Sequence, residues 1–115
     1  KPSKVALDNI LAGQAEAQPF RYPTGLVEVP MSPISDIGAF RNGRWQLDDF
    51  LDAIRQAVQL CIEHRATFDF LAHPSCLGVV DTKFQAIDLI CDLVEDSNGA
   101  AEIVSLDVMA KRAPK

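Results

Sequence analysis

The feature that most constrains the fold is a run of apolar residues spaced by three and four positions between residues 47 and 65. This spacing places apolar side chains on one face of an α-helix. The members are Leu47, Phe50, Leu51, Ile54, Val58, Cys61 and Ile62. Acidic residues crowd the first turns, and His64 and Arg65 close the run, as the helix dipole favours. The pattern predicts an amphipathic helix over residues 47–65.

Short β-type runs alternate with helical patterns along the rest of the chain. Strands are predicted at residues 25–29, 67–72 and 102–106, and a weaker helix at 4–16. A Thr82–Gln85 capping box predicts the start of a second amphipathic helix, with Phe84, Ile87, Ile90, Cys91 and Val94 on its inner face. Ser97-Asn98-Gly99 would end that helix, Asp107 would cap a last helical turn, and residues 30–44 would form a long loop.

Strands that alternate with amphipathic helices are typical of a parallel sheet with helical crossovers. The 115 residues are sufficient for a single domain, whereas a closed βα-barrel needs about 200–250 residues. We therefore predict an α/β fold over residues 1–115, either a partial (β/α) barrel with alternating parallel strands and amphipathic helices or a small open sheet.

Composition excludes several classes of partner. Sixteen acidic and eleven basic residues give a net charge of −5, which argues against nucleic acid and anionic membranes. Neither a signal peptide nor an apolar run of about 18 residues is visible, so a cytoplasmic location is favoured. The three cysteines, Cys61, Cys76 and Cys91, form an odd set without a C-x-x-C pair. Packing is expected for Cys61 and Cys91, rather than a disulfide framework or a zinc site.

Candidate functional residues follow the predicted strands, because parallel α/β folds gather their working groups at the carboxyl ends of strands. His73 comes directly after the 67–72 strand and is the strongest candidate. It is either an acid–base group or a histidine that satisfies the backbone of its own loop. Asp36 could orient a histidine or hold a metal, or it could be a turn residue bonded to its own backbone.

Weaker candidates complete the list. Glu28 either lies on an edge strand or points into the barrel, and Asp69 is a candidate buried carboxylate that would need a partner. His64 is interpreted as part of a solvated helix end. A Cys76–His73 nucleophile pair is disfavoured by its loop spacing. The two histidines are nine positions apart on different elements, so the chain is expected to hold no metal site of its own.

The segment Leu71-Ala72-His73-Pro74-Ser75, in its setting of strand, loop, helix and strand, resembles the C-terminal part of the polysaccharide deacetylase family. The resemblance implies that His73 is the general acid toward the leaving amine and that Leu71 lines the pocket for the acetyl methyl group. Asp36 stands about where the aspartate of the family's fourth motif falls. Arg21-Tyr22-Pro23-Thr24-Gly25 is similar to the family's R-x-P-x-G motif. Arg21, Pro74 and Ser75 are accordingly expected to bind substrate.

The family's early motifs, a T-F-D-D-type strand end and an H-x-x-x-H pair, are missing from the sequence. The resemblance therefore implies the C-terminal segment of a hydrolase that removes N-acyl groups from amino-sugar polysaccharides. Its divalent metal, such as zinc, and its base would come from a missing N-terminal part or from a second copy. The alternatives are a non-catalytic module of the same scaffold and an amidase of the same family that acts on small nitrogen compounds.

Overall fold

The computed structural model describes all residues, Lys1–Lys115. Five α-helices, one π-helical turn and two very short strands make up its regular structure. In chain order these are α1 (Lys4–Glu16), β1 (Phe20–Arg21), β2 (Val27–Glu28), the π-helical turn (Ile37–Asn42), α2 (Leu47–His64), α3 (Leu77–Val80), α4 (Gln85–Glu95) and α5 (Leu106–Lys111). The protein is therefore mostly helical.

The prediction of a parallel sheet is wrong. The only sheet is a two-residue hairpin in which β1 and β2 run antiparallel, with Phe20 opposite Glu28 and Arg21 opposite Val27. Residues 67–72 and 102–105 form no strand. A single backbone hydrogen bond, from the Ser32 N–H to the Asp69 carbonyl at 2.8 Å, connects residues 67–72 to the loop before the π-helical turn. A partial (β/α) barrel is thus contradicted.

The physical reason lies in how residues 67–72 bury their apolar side chains. Phe68 and Phe70 pack against the helical core, and the Phe70 ring lies 6.4 Å from that of Phe50. Residues typical of strands prefer positions where their side chains are half-buried against a neighbouring surface, and here the helices provide that surface. A strand also needs a neighbour that shares its hydrogen bonds, which this segment does not have.

Helix α2 is the centre of the core and confirms the predicted 47–65 helix to within one residue. Its predicted apolar face is the buried one, with Phe50, Ile54, Val58 and Cys61 all nearly inaccessible. Ala53 and Ala57 are buried on the same helix, and α1 and α4 pack against it. The helix ends at His64, because the left-handed backbone of the next residue, Arg65 (φ 53°), stops further helical hydrogen bonding.

Helix α4 begins later than predicted and presents a different face to the core. Thr82 does not cap it; the buried Asp81 carboxylate instead accepts hydrogen bonds from the N–H groups of Gln85 and Ala86 at 2.9 and 2.8 Å. Such an acceptor satisfies the free donors of a first turn. The core-facing residues are Ala86, Leu89, Ile90 and Leu93, whereas Phe84, Ile87 and Cys91 are exposed. The expectation that Cys91 is packed is therefore wrong, and the one for Cys61 is confirmed.

Two further elements bear on the site. The π-helical turn lies inside the predicted 30–44 loop, and the helix α3 lies in the loop that follows His73. The predicted strand at 102–106 is replaced by irregular chain and the start of α5, where Ser105 and Asp107 hydrogen-bond through their side chains. The weak helix predicted at 4–16 is confirmed as α1, which begins at Lys4 after the N-cap Ser3.

Candidate acid–base site

The segment before the π-helical turn carries Asp36 into the interior. Ile34 is almost fully buried in the core, and the Ser32 hydroxyl accepts the Ile34 N–H at 3.1 Å. Asp36 then begins the turn by accepting the N–H of Ile37 at 2.9 Å. A Gly43 N–H to Gly38 carbonyl bond at 2.8 Å closes the wider π-type ring. The carboxylate is consequently held at the base of the turn with no exposed surface.

The structure brings Asp36 and His73 together across 37 residues of sequence. Oδ2 of Asp36 accepts the backbone N–H of His73 at 2.7 Å and that of Leu77 at 3.2 Å. Oδ1 lies 2.8 Å from Nδ1 of the His73 ring. The carboxylate thus fixes both the backbone and the imidazole of His73, as well as the start of α3. Of the roles the sequence allowed Asp36, its position matches orientation of a histidine.

The electrostatics of the pair follow from these contacts. Burial on its own raises the pKa of Asp36, but the hydrogen bonds from the His73 ring and from the backbone N–H groups of His73, Ile37 and Leu77 outweigh it, so the pKa lies below its ordinary value. An ionised carboxylate only accepts hydrogen bonds, and Nδ1 therefore carries a proton. The second ring nitrogen, Nε2, has no protein partner, and the side chain is 45% exposed.

The residues around His73 form an open rim. The His73 carbonyl accepts the N–H groups of Cys76 and Leu77 at 3.0 and 2.8 Å, which folds the loop back toward α3. Pro74 and Ser75 are exposed, and Leu71 keeps 41% of its surface accessible. Cys76 is buried and makes no hydrogen bond to the ring, whose Nδ1 is taken by Asp36. No Cys–His nucleophile pair is formed.

Other predicted candidates lie in separate settings. The Arg21 guanidinium donates to the Gly25 carbonyl at 3.0 Å within its own hairpin and makes no bond to His73. Glu28 accepts the Tyr22 hydroxyl at 2.9 Å, a bond that raises the pKa of Tyr22. Asp69 is half-buried without a hydrogen-bond partner for its carboxylate, and burial raises its pKa.

Two surface cavities, of about 280 and 160 Å³, are lined by other residues than Asp36 and His73. The exposed His64 lies at the end of α2, as interpreted from sequence, and lines the first cavity together with Cys61. The Asp36–His73 pair therefore does not line either of these cavities. A substrate held there would need further contacts from the rim of the loop.

Asp36 and His73 are not part of a cluster of metal-ligating side chains. No group of three or more His, Cys, Asp or Glu side chains lies close enough to hold an ion. Asp36 has both oxygens engaged by four donors, and this leaves it unsuited to a metal.

Sequence reasoning missed Arg41. It lies on the π-helical turn, and its Nη2 donates to the Ser75 carbonyl at 3.4 Å. The sequence offered one signal, a basic residue five positions after a candidate aspartate in a long loop, but loop spacing does not show where the side chain reaches.

Comparison of the chain with protein-family models, with curated proteins and with solved structures finds no match. None of the helices combines the length and the apolar composition that crossing a lipid bilayer requires.

Proposed function

We propose that this chain supplies the general acid of a hydrolase that cleaves carbon–nitrogen bonds of N-acyl compounds other than peptides. The observation that supports this is the buried, ionised Asp36 bound to Nδ1 of a half-exposed His73 whose Nε2 is free. A carboxylate in this position orients the imidazole so that Nε2 faces outward. The resemblance of residues 71–75 to the deacetylase motif points to the same role.

In the proposed reaction, a base outside this chain takes one proton from a water molecule, the water oxygen bonds to the acyl carbon, and the carbon–nitrogen bond then breaks. The electron pair of that bond stays on the leaving nitrogen, which takes the Nε2 proton of the His73 imidazolium. The products are a carboxylic acid and a free amine. Asp36 stays ionised throughout the reaction and keeps accepting the hydrogen bond from Nδ1–H. The base and a divalent metal would come from residues outside this chain, and the substrates would be amino-sugar polysaccharides or small N-acyl compounds.

The tautomer of His73 tests the geometry directly. With Asp36 as acceptor, ¹⁵N NMR of the neutral ring should show the proton on Nδ1. In Asp36→Asn the amide oxygen is expected to stay with the two backbone donors now bound to Oδ2, so that its NH₂ group faces Nδ1. The ring proton should then move to Nε2. A wild-type ring protonated on Nε2 would contradict the proposed orientation.

Amine release tests the chemical role. In the polypeptide that carries this segment, His73→Gln should lower the release of amine from N-acetylglucosamine oligomers or from small N-acetyl compounds by roughly 10²–10⁴-fold, the usual contribution of a general acid. His64→Gln is the matched control, because that histidine is exposed at the end of α2. Equal rates in the wild type and His73→Gln would remove His73 from the mechanism.

A non-catalytic module is the second candidate, and the Asp36 contacts favour it independently. Three of the four donors to Asp36 are backbone N–H groups, so the carboxylate also clamps two loops together. If Asp36 had only this structural role, His73→Gln would leave amine release unchanged, and Asp36→Ala would still lower the free energy of unfolding.

A further inference from the structure

Arg41 lies beside the candidate acid and has no acidic partner. It is carried by the π-helical turn that Asp36 begins, and its Nη2 contacts the carbonyl of Ser75, two residues after His73. The guanidinium is exposed and takes part in no ion pair. A permanent positive charge is therefore held at the rim of the site without a neutralising carboxylate.

Arg41 and Ser75 offer free hydrogen-bond donors around this charge. Arg41 has five N–H groups, of which the Ser75 carbonyl takes one. The Ser75 hydroxyl makes no hydrogen bond, and His73 lies two residues earlier in the same loop. Asp36, the nearest carboxylate along the turn, is fully buried with both oxygens occupied. The exposed surface thus offers donors and a cation, and its natural complement is a planar carboxylate.

We propose that Arg41, with the Ser75 hydroxyl, binds a carboxylate on the substrate, next to the nitrogen that His73 protonates. This inference rests on the proposed function and narrows its substrate class to N-acyl amino acids and similar small acids, in preference to neutral amino sugars. Two parallel N–H···O bonds from a guanidinium orient a carboxylate as well as attract it. In such a substrate a single carbon separates the carboxylate from the acyl nitrogen.

Binding can be measured without turnover. N-acetylglycine and its neutral analogue N-acetylglycinamide differ only at the group that Arg41 would recognise. Titration of each into the wild-type chain, followed by NMR shifts of the His73 ring and of Ser75, should show the acid binding on the order of tenfold more tightly. Arg41→Gln should lower the affinity for the acid to that of the amide and leave the amide unaffected. Arg55→Gln, an exposed arginine on α2, is the charge-matched control and should change neither.

Each result decides the question. Equal affinities for acid and amide in the wild type, an equal loss of both in Arg41→Gln, or no binding of either compound would overturn the inference. Failure of the proposed function is a separate result: if amine release is unchanged in His73→Gln but the acid preference disappears in Arg41→Gln, the carboxylate site stands and the general acid does not. Unchanged amide ¹H–¹⁵N signals from the α2 core confirm that each variant is folded.

Discussion

Asp36 and Asp81 are two fully buried carboxylates that the protein uses differently. Each accepts backbone N–H groups at the start of a helical segment, Asp36 at the π-helical turn and α3, Asp81 at α4. The partners of Asp81 are backbone donors alone. Asp36 has in addition a side-chain partner, the His73 ring, which extends from the buried carboxylate to the surface.

The difference shows how a structural device becomes a candidate site. A buried carboxylate is tolerated when hydrogen bonds replace its lost hydration, and both residues meet that condition. At Asp81 the donors belong to the helix terminus, so its contribution is confined to stability. At Asp36 one donor is the half-exposed His73 ring, which connects the buried charge to the protein surface.

The largest expected effect is the loss of stability when either buried carboxylate is replaced by alanine. Asp36→Ala leaves three backbone N–H groups and the His73 ring without an acceptor, so the free energy of unfolding should fall by on the order of 3–5 kcal/mol. Asp81→Ala removes the acceptor for two N–H groups and should cost about 1–2 kcal/mol. Urea unfolding at neutral pH measures both.

Equal losses in the two variants would show that the imidazole adds nothing to the Asp36 cluster. His73→Phe refines the comparison, because it keeps the backbone donors to Asp36 and removes only the ring contact. Its unfolding free energy should lie between those of the wild type and Asp36→Ala.

An intermediate effect is expected from pH. Because the pKa of folded Asp36 lies below the unfolded value of about 3.9, its ionised form stabilises the fold fully above that value, and the contribution is lost as pH falls through the folded pKa. The stability deficit of Asp36→Asn should therefore shrink as pH is lowered from 7 through about 4 and below. Unfolding curves at several pH values measure it. Ser35→Ala, next to Asp36 and without a titrating group, should keep a constant deficit; a deficit of Asp36→Asn that is equally constant would contradict the prediction.

The smallest expected effect extends the comparison to Asp69, a half-buried carboxylate without a hydrogen-bond partner. Burial raises its pKa, so the folded state disfavours its ionised form and stability falls as pH rises through the interval between the unfolded and folded values. Asp69→Asn should therefore raise the melting temperature slightly at neutral pH and leave it unchanged at pH values well below the unfolded pKa. A lower melting temperature at neutral pH would reveal a stabilising partner for the Asp69 charge.

The helical part of the fold could be predicted where periodicity was strong. The 47–65 pattern locates α2 and its buried face because one apolar stripe over five turns has no other efficient way to be buried. α4 was harder, since its apolar residues cover more than one face and only packing against α2 decides that Leu89 and Leu93 turn inward. The start of α4 depended on the Asp81 carboxylate, which competes successfully with Thr82 as a cap.

The sequence could predict the residues of the candidate site but not the contact between them. His73 and Asp36 stand out as polar residues in loops after apolar runs, and the sequence allowed Asp36 to orient a histidine. Their contact depends on a π-helical turn and on the folding back of the loop toward Leu77, which no local pattern specifies. Arg41 was missed for the same reason.

Local chemistry alone determined α1, α2 and the residues able to move a proton, because helix periodicity and side-chain type are properties of neighbouring residues. Only the tertiary structure decided that residues 67–72 pack their aromatic rings on helices instead of joining a sheet, and that Asp36 meets the His73 ring. Both outcomes depend on which distant surface offers burial and hydrogen bonds, and that choice is made by the whole chain as it packs.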